Sequence, residues 1–418
     1  MCDTLNEYPP INGRTIPLEK AIGTILAHDI TEIRQGEFKG RAFRKGHVIR
    51  KEDVCHLQRL GKENLFVLEI ADDEMHEDDA AYAVAQVLMG EGVGIKGEPK
   101  EGKITLIAER DGLLSIDSEA LLQFNMLGDV MCATLHDRTV VKKGQEIAGT
   151  RAIPLVIKKT VVEEAIRIIK GPRVQGDEGS RVRGFKGSCS NTPESQIPGI
   201  PYPYIPEPHH SGIIAVKEMR KPKVGVVVTG NEVYHGKITD AFGSIVESKI
   251  KAYGGEVAAV YFAPDDALFI EARLRELIDA GCDLLITTGG MSVDPDDVTR
   301  FAIRNLGATD ITYGSAVLPG AMFLVAYLKN SNEKSVMSNE LKNKKEVLSP
   351  ITHHPSQITV LGIPACGMYH KTTIFDLILP RVLAGEKIGR KELAELGHGG
   401  LCMNCEVCRY PVCPFGKG

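Results

Sequence analysis

An uninterrupted apolar stretch at residues 224–228 limits the possible folds of this 418-residue chain more than any other feature. It reads Val-Gly-Val-Val-Val, without the polar alternation of a half-exposed strand. Such a strand is buried on both faces, as in a parallel sheet covered by helices. Similar strands are predicted at residues 257–262 and 283–288, with helical patterns at 242–253 and 266–280 between the strands. This alternation predicts an α/β domain with a doubly wound, mostly parallel sheet at residues 221–390.

Three further regions of the chain differ from this domain in composition. Residues 1–170 mix short strands, turns and helical stripes, which predicts an N-terminal α+β region rich in β-structure. Residues 171–220 are rich in Gly, Pro, Ser and Arg and lack periodicity, which predicts a linker. A structured insertion that packs its tyrosines is the alternative. Residues 391–418 form a cysteine-rich tail.

Individual elements can be predicted within these regions. In the N-terminal region the patterns indicate helices at 51–61, 77–89 and 161–169 and strands at 65–68 and 104–108. In the α/β domain, a polar insertion at 329–354 precedes a strand at 358–362 and an apolar helix at 374–383.

The bulk composition excludes several classes of function. The formal net charge is -5, so no global basic field attracts nucleic acid or anionic lipid. No apolar run reaches the roughly 18–20 residues that span a bilayer, and the first residues lack a secretory signal pattern. We therefore expect a cytoplasmic protein without nucleic-acid or membrane partners.

Three glycine-containing turns follow strands of the predicted sheet, at residues 229–232, 289–292 and 362–367. Ligands of doubly wound sheets bind beyond the C-terminal ends of the strands. Glycine lets main-chain N–H groups approach a phosphate closely. Packing alone explains one such turn, but three in one sheet indicate a ligand site. The residues predicted to bind substrate are Thr229, Gly230, Asn231, Thr288, Gly289, Gly290, Ser292 and Pro364.

Acidic residues follow the second turn directly, at Asp294, Asp296 and Asp297. Their carboxylates would repel a phosphate unless they hold a cation such as Mg²⁺. The sequence therefore predicts Asp294 and Asp296 as magnesium ligands. For Asp296 or Asp297, the N-cap of a helix is the alternative.

The order of these motifs resembles the molybdopterin-binding domain. The resemblance rests on residues 226–233, on Asp265 and Asp266, and on residues 287–293 with Asp297. This domain is shared by molybdopterin molybdenumtransferase, the E domain of gephyrin and the molybdopterin adenylyltransferases. Residues 17–29 and 40–46 are similar to the opening of some molybdopterin-binding proteins of anaerobic bacteria and archaea.

The resemblance implies a role in molybdenum cofactor biosynthesis. In this role Gly289, Gly290 and Ser292 hold the phosphate of the pterin, and Glu232 and Asp297 act near its dithiolene and the metal as catalytic residues. The implied enzyme is a transferase that inserts molybdate into adenylylated molybdopterin, with Mg²⁺-dependent release of AMP. The resemblance also implies a homodimer, with molybdoenzyme apoproteins as partners. A non-catalytic carrier or sensor of molybdopterin or the finished cofactor is the alternative.

Several positions depart from the transferase pattern. The Ser-Asp-Gly-Tyr motif of the N-terminal half is not found, and Asn231 replaces the usual aspartate of the first turn. The Pro-Gly-Lys-Pro turn corresponds to residues 319–322 without its lysine, and residues 362–367 replace Gly-Leu-Pro-Gly-Asn-Pro. These departures favour the carrier, whereas the overall match favours the transferase.

Four cysteines crowd into the tail, at Cys402, Cys405, Cys408 and Cys413. Four thiolates within reach of one point satisfy a tetrahedral zinc ion or the corners of an iron–sulfur cluster. The spacing resembles the bacterial ferredoxin run, with one extra residue before the last cysteine. It predicts a metal centre, either [4Fe-4S] or Zn, and His398 is close enough in sequence to replace one ligand.

Overall fold

The computed structural model describes residues 13–34, 38–68, 70–170, 212–237, 242–291, 298–329 and 357–417. These residues belong to two compact units. The first unit takes its residues from 1–110, 115–135 and 142–216, and the second from 111–114, 136–141 and 217–418. Most of the predicted linker, up to residue 211, and the predicted insertion at 330–354 lie outside the described residues. The linker prediction fails at Ile214–Lys217, which is a strand.

Up to residue 217 the described chain consists of short strands and helices. The strands are β1 Gly13–Pro17, β2 Ile25–Leu26, β3 Ile30–Arg34, β4 Phe38–Phe43, β5 Asn64–Leu68, β6 Glu74–His76, β7 Val93–Lys100, β8 Lys103–Ala108, β9 Gly112–Ile116, β10 Val130–Thr134, β11 Val140–Val141, β12 Glu146–Ala152, β13 Val156–Lys158 and β14 Ile214–Lys217. The helices are α1 Asp53–Arg59, α2 Glu77–Leu88, α3 Ser118–Asn125 and α4 Lys159–Lys170, with a 3₁₀ turn at Leu18–Lys20.

The sheets of the first unit are antiparallel. Their strand orders are β1-β5-β2, β10-β12-β8-β7, β3-β4 and β13-β6. The helices predicted at 51–61, 77–89 and 161–169 and the strands predicted at 65–68 and 104–108 are confirmed. The predicted α+β character of this region therefore agrees with its elements.

The second unit contains a six-stranded sheet in the order β16-β15-β17-β20-β19-β18. Its strands are β15 Lys223–Thr229, β16 Glu256–Ala263, β17 Leu284–Thr288, β18 Thr309–Tyr313, β19 Leu324–Lys329 and β20 Gln357–Ile363. Its helices are α5 Asn231–Tyr234, α6 Phe242–Ala252, α7 Ala267–Asp279, α8 Thr299–Asn305, α9 Ile374–Leu383 and α10 Arg390–Glu395, with a 3₁₀ turn at Ala365–Met368. None of the helices in the described ranges has the length and apolar character needed to cross a membrane.

This sheet is mixed rather than parallel throughout. Strands β16, β15, β17 and β20 run parallel to their neighbours, as predicted. At one end of the sheet, β19 runs antiparallel to both of its neighbours, β20 and β18, and neither β18 nor β19 is among the strands predicted above. The α/β class is confirmed, and the parallel part of the sheet is limited to four strands.

Helices cover both faces of this sheet, which explains the uninterrupted apolar run in β15. Alternate residues of β15 contact opposite cores. One core joins Val224, Val226 and Val228 to residues of α6 and α9. The other joins Val227 to residues of α7 and α8. A strand buried on both faces has no position for a polar side chain, as the sequence pattern indicates.

The strand register brings three chain segments to one edge of the sheet. Val228 of β15 lies beside Thr288, the last residue of β17, and Thr288 lies beside Ile363, the last residue of β20. Because β19 is antiparallel to β20, its first residue, Leu324, starts at this same edge, opposite Gly362. The turns after β17 and β20 therefore meet the segment that leads into β19.

Candidate ligand cleft

A cleft of about 460 Å³ lies at this edge of the sheet. Its walls are residues 289–291 after β17, residues 318–322 before β19 and residues 364–366 after β20. A volume of this order accommodates a small-molecule ligand. The described residues that line the cleft include no Lys, Arg, Asp, Glu or His, so main-chain groups and uncharged side chains form these walls.

The turn of Gly289 and Gly290, here called the double-glycine turn, is packed too closely for any other residue. The φ angles are +84° and +56°. A Cβ atom on Gly289 would lie 2.4 Å from the carbonyl oxygen of Thr229, and one on Gly290 would lie 2.3 Å from the Thr299 hydroxyl. Glycine therefore allows the main chain of the turn to lie against the sheet on one side and line the cleft on the other.

Three threonines, here called the threonine cluster, lie behind this turn. Thr229 donates its hydroxyl hydrogen to the carbonyl oxygen of Thr288 at 3.0 Å. The hydroxyl oxygens of Thr229 and Thr299 are 3.4 Å apart, and Thr299 donates to the carbonyl oxygen of Gly289 at 3.4 Å. All three threonines are buried. These bonds link the ends of β15 and β17 to the start of α8 and fix the double-glycine turn.

A tyrosine holds the next residue of the same wall. Tyr313 donates its phenolic hydrogen to the carbonyl oxygen of Met291 at 2.6 Å. The guanidinium of Arg300 lies 4.5 Å from the centre of the Tyr313 ring, a cation–π contact. The carbonyl of Met291 is therefore turned toward Tyr313 and does not present its oxygen to an anionic ligand.

We expect Thr229→Val to lower the free energy of unfolding by about 1–2 kcal/mol, because the Thr288 carbonyl loses a buried donor while the side-chain shape is kept. Thr309→Val is the matched control, since the Thr309 hydroxyl makes a longer bond to Tyr327, 3.4 Å, and Thr309 is exposed. Urea denaturation of both variants measures the difference. Equal losses would mean that the threonine cluster adds nothing beyond an ordinary surface hydrogen bond.

The first predicted turn lies beside the cleft but does not line it. Gly230 is the N-cap of α5, with a φ of +135°. Asn231 and Asp265 are paired: the Asn231 N–H donates to the Asp265 carboxylate at 3.1 Å, and the Asp265 N–H donates to the Asn231 side-chain oxygen at 3.3 Å. Glu232 is exposed on α5. The side chain of Asn231 therefore joins two loops, and neither Asn231 nor Glu232 is among the cleft-lining residues.

The other predicted substrate-binding residues divide into two groups. Gly289, Gly290 and Pro364 line the cleft. Thr229 and Thr288 are buried behind it, and the Thr288 hydroxyl oxygen has no hydrogen-bond partner among the described residues. The turn predicted from the sequence thus lies at the cleft, with its threonines behind the cleft wall, and substrate binding by these residues stays a prediction.

Four predicted site residues fall between the described ranges 242–291 and 298–329. They are Ser292, Asp294, Asp296 and Asp297. The phosphate contact of Ser292, the magnesium ligands and the catalytic Asp297 therefore stay predictions. They would follow the double-glycine turn directly along the chain.

The predicted metal site in the tail is not assembled in this structure. Cys402, Cys405, Cys408 and Cys413 are free thiols. Among the residues of the described ranges, no group of three or more His, Cys, Asp or Glu side chains is placed to hold a metal ion. The physical reason is tertiary packing, because Cys402 and Cys413 lie against the core of the second unit while Cys405 is exposed.

Two parts of the cleft contain no residue that the sequence analysis assigns to ligand binding, apart from Pro364. Residues 318–322 form one wall, and the signal for them is the correspondence of residues 319–322 to the Pro-Gly-Lys-Pro turn of the transferase pattern. Cys366 lies on another wall and is half-buried. Burial raises the pKa of the Cys366 thiol, so the group is protonated at neutral pH.

The architecture is an α/β domain with a cleft beyond the C-terminal ends of parallel strands, the position at which ligands of such sheets bind. Residues 225–384 match the family model described as "Probable molybdopterin binding domain". Residues 15–69 match a second family model, "Domain of unknown function (DUF8806)".

Similar proteins match only part of the chain. It is 28% identical over 231 residues to a CinA-like protein of Mycobacterium avium (strain 104), which covers 47% of this chain and 51% of that protein. A CinA-like protein of Mycolicibacterium gilvum (strain PYR-GCK) is 39% identical over 89 residues, 20% of this chain and 21% of its own length. The chain thus spans about half, or less, of the length of these curated relatives.

Solved structures also resemble a part of the chain. The tungsten cofactor synthesizing protein MoaB from Pyrococcus furiosus is 20% identical, with a TM-score of 0.26. The match covers 40% of this chain and 98% of that protein.

Proposed function

We propose that the domain at residues 225–384 binds the phosphate end of molybdopterin or of its adenylylated form in the cleft, and that the protein acts in molybdenum cofactor biosynthesis. The observation that carries this proposal is the double-glycine turn. Its main chain forms one wall of the cleft, and its other side is packed against the threonine cluster. Main-chain N–H groups at such turns bind anions.

The remaining walls suit the pterin part of the same ligand. Met291, Leu318 and Met322 supply apolar surface to the cleft, and Pro319 and Pro364 add rigid ring surfaces. Ligand sites combine mostly apolar walls with a few polar groups that fix orientation. In this arrangement the planar pterin ring lies between the apolar walls, and its phosphate lies on the main chain of the double-glycine turn.

We further propose that the bound compound is adenylylated molybdopterin and that the protein is a molybdenumtransferase. Asp294 and Asp296 would hold Mg²⁺, which polarises a phosphoanhydride and stabilises the charge on the departing AMP. Asp297 and Glu232 are the catalytic candidates, and Ser292 is the side-chain donor to the phosphate. Molybdate is the second substrate, a homodimer is the proposed assembly, and molybdoenzyme apoproteins are the proposed recipients.

The carrier is the second candidate, and a specific observation favours it. None of the described cleft-lining residues is charged, and Glu232 is exposed on α5 outside the cleft walls. A site of this kind binds a pterin phosphate without itself supplying an acid or a base. In that case the protein holds molybdopterin or the finished cofactor and releases it unchanged.

Release of AMP separates the two functions. Purified full-length protein is mixed with adenylylated molybdopterin and Mg²⁺, with and without molybdate, and AMP is measured. For a transferase we expect molybdate-dependent AMP release, lowered at least about 100-fold in Asp297→Ala, because a catalytic acid or base typically contributes 10²–10⁴-fold. Asp279→Ala is the matched control, since Asp279 is an exposed aspartate at the end of α7. Calorimetric binding of molybdopterin without AMP release would identify the carrier, and absence of binding would refute both.

A further inference from the structure

We propose that four exposed apolar side chains at the mouth of the cleft bind the nucleobase of adenylylated molybdopterin. They belong to Leu318, Tyr369, Leu401 and Met403, here called the mouth rim. This inference rests on the proposed function, because it assigns a place to the nucleotide part of that ligand. Leu401 and Met403 lie in the C-terminal tail, after the residues 225–384 that match the family model. The tail therefore becomes part of the ligand site.

The tail is joined to one wall of the cleft by two main-chain hydrogen bonds. Leu318, which lines the cleft, donates its N–H to the carbonyl oxygen of Gly400 and accepts from the N–H of Cys402, both at 2.8 Å. Leu401 lies between these two bonds and forms a parallel bridge with Leu318. The apolar surface that begins with Leu318 on the cleft wall therefore continues onto the tail.

The same segment of the tail reaches a second wall two residues later. Asn404, which follows Met403, accepts a hydrogen bond of 3.1 Å through its side-chain oxygen from Nδ1 of His370. Tyr369, the neighbour of His370, donates its N–H to the carbonyl oxygen of Cys366 at 3.2 Å, and Cys366 lines the cleft. Residues 400–404 thus run from the wall of Leu318 to the wall of Cys366.

The tail is anchored to the domain beyond this segment as well. The N–H of Gly416 donates to the carbonyl oxygen of Gly399 at 3.0 Å. Phe415 is 4% exposed and belongs to the core shared with α6 and α9. The hydroxyl of Tyr410 donates to the carbonyl oxygen of Asp376 in α9 at 3.0 Å. These bonds hold the main chain of the tail against the domain, so the rim side chains are presented at a fixed place.

The exposure of the mouth rim indicates that a ligand covers it. Leu318, Tyr369, Leu401 and Met403 are 54%, 79%, 71% and 76% exposed. A single exposed apolar side chain is ordinary, but a group of them beside a cleft is typical of a binding surface. Since main-chain contacts connect the rim to two cleft walls, a ligand bound in the cleft is the nearest occupant.

The proposed ligand has a part that the cleft walls leave without a place. Adenylylated molybdopterin carries two flat ring systems, the pterin and the adenine, joined through phosphates. The apolar walls and the double-glycine turn accommodate the pterin and the phosphate, so the adenine extends to the mouth. There the Tyr369 ring can stack on the base, and Met403 supplies a polarisable side chain that favours contact with an aromatic ring. None of the four rim side chains is charged, which suits a neutral base.

The test compares binding of two compounds by calorimetry, molybdopterin and adenylylated molybdopterin, to the full-length protein. We expect Tyr369→Ala to weaken binding of adenylylated molybdopterin at least about 5-fold, the loss typical of one stacked base. Binding of molybdopterin, which lacks the base, should be unchanged. Leu401→Ala should show the same selectivity with a smaller loss. Leu268→Ala is the matched control, because Leu268 is a 74% exposed leucine on α7 and does not line the cleft.

A second measurement tests the base contact without the pterin. Saturation-transfer NMR with AMP should show stronger transfer to the base protons than to the ribose protons in the wild type and in Leu268→Ala. This preference should be lost in Tyr369→Ala.

Three results would overturn the inference. If Tyr369→Ala weakens binding of both compounds equally, the rim does not select the base. If both compounds bind and neither rim variant changes either affinity, the rim is outside the site while the proposed function stands. If the wild type binds neither compound, the proposed function fails and this inference fails with it.

Discussion

Gly289→Ala is expected to lower the free energy of unfolding by about 3 kcal/mol and to weaken binding of molybdopterin at least about 100-fold, since each 1.4 kcal/mol of lost binding energy is tenfold. The added Cβ would lie 2.4 Å from the carbonyl oxygen of Thr229 and 2.7 Å from its hydroxyl. The carbonyl belongs to the end of β15 and cannot rotate away. The turn must therefore move, and it carries the main chain that we propose binds the phosphate.

Gly307→Ala is a control that separates the penalty of a positive φ from the close contact of the added Cβ. Gly307 has almost the same φ, +86°, but nothing lies within 4 Å of a Cβ added there. Gly307→Ala should therefore cost only the conformational penalty of a positive φ, about 1–2 kcal/mol, and leave ligand binding intact. Urea denaturation and calorimetry are run on both variants under conditions in which circular dichroism shows folded protein. Undiminished molybdopterin binding by Gly289→Ala would remove the double-glycine turn from the ligand site.

The sequence predicts the parts of the fold that depend on local periodicity. Residues 224–228 indicate a doubly buried strand because alternate side chains of β15 contact opposite cores. The helix predicted at 374–383 coincides with α9, whose start is marked by the capping box of Thr373 and Asp376. An apolar run and a helix cap each involve only a few neighbouring residues, so they can be recognised from the sequence alone.

Strands β18 and β19 show where local signals fail. In β18 only Thr312 is buried, because this strand lies at the edge of the sheet and needs little apolar surface. Strand β19 is apolar except at Lys329, so its existence could be predicted, but its antiparallel direction could not. Strand direction depends on the path of the connecting chain, which no local period encodes. Without that direction, residues 318–322 cannot be placed at the cleft.

Some roles of candidate site residues also depend on distant contacts. Asn231 is in a predicted ligand turn, yet its side chain bonds to the main chain of Asp265, 34 residues further along the chain. In the tail, the spacing of the cysteines indicates a ligand set, but the packing of Cys402 and Cys413 against the core is a tertiary effect. Sequence patterns thus identify residue types suited to a chemistry, while tertiary contacts decide which of them line the cleft.

Glu386→Ala is expected to lower the free energy of unfolding by about 3 kcal/mol at neutral pH, the cost of leaving a buried charge unpaired. The side chain of Arg381 is 2% exposed, and its Nε donates to Glu386 at 2.8 Å. Removing the carboxylate leaves a guanidinium buried at the end of α9. At its other end, α9 supports the cleft, because the N–H of Ile374 donates to the carbonyl oxygen of Pro319 at 3.2 Å. Ligand affinity should therefore fall together with stability.

The pH dependence of this effect has a definite sign. Burial by itself raises the pKa of Glu386, but the hydrogen bond and charge of Arg381, with the charges of Lys217 and Arg138, outweigh burial and hold that pKa below its ordinary value. A carboxyl with a lowered pKa in the folded state stabilises the protein above its ordinary pKa, about 4.3, and this stabilisation is lost as the pH falls through the folded-state pKa. The difference between wild type and Glu386→Ala should therefore shrink in acid.

The matched control is Glu247→Ala, in which an exposed pair with Lys251 on α6 is broken. Exposed pairs four residues apart on a helix contribute about 0.3–0.5 kcal/mol, so this variant should be nearly as stable as the wild type at every pH. Urea denaturation of the three proteins from pH 7 down to pH 3 measures both differences. If Glu386→Ala loses no more stability at pH 7 than Glu247→Ala does, the buried arginine does not depend on its carboxylate, and no loss of ligand affinity is expected from this variant.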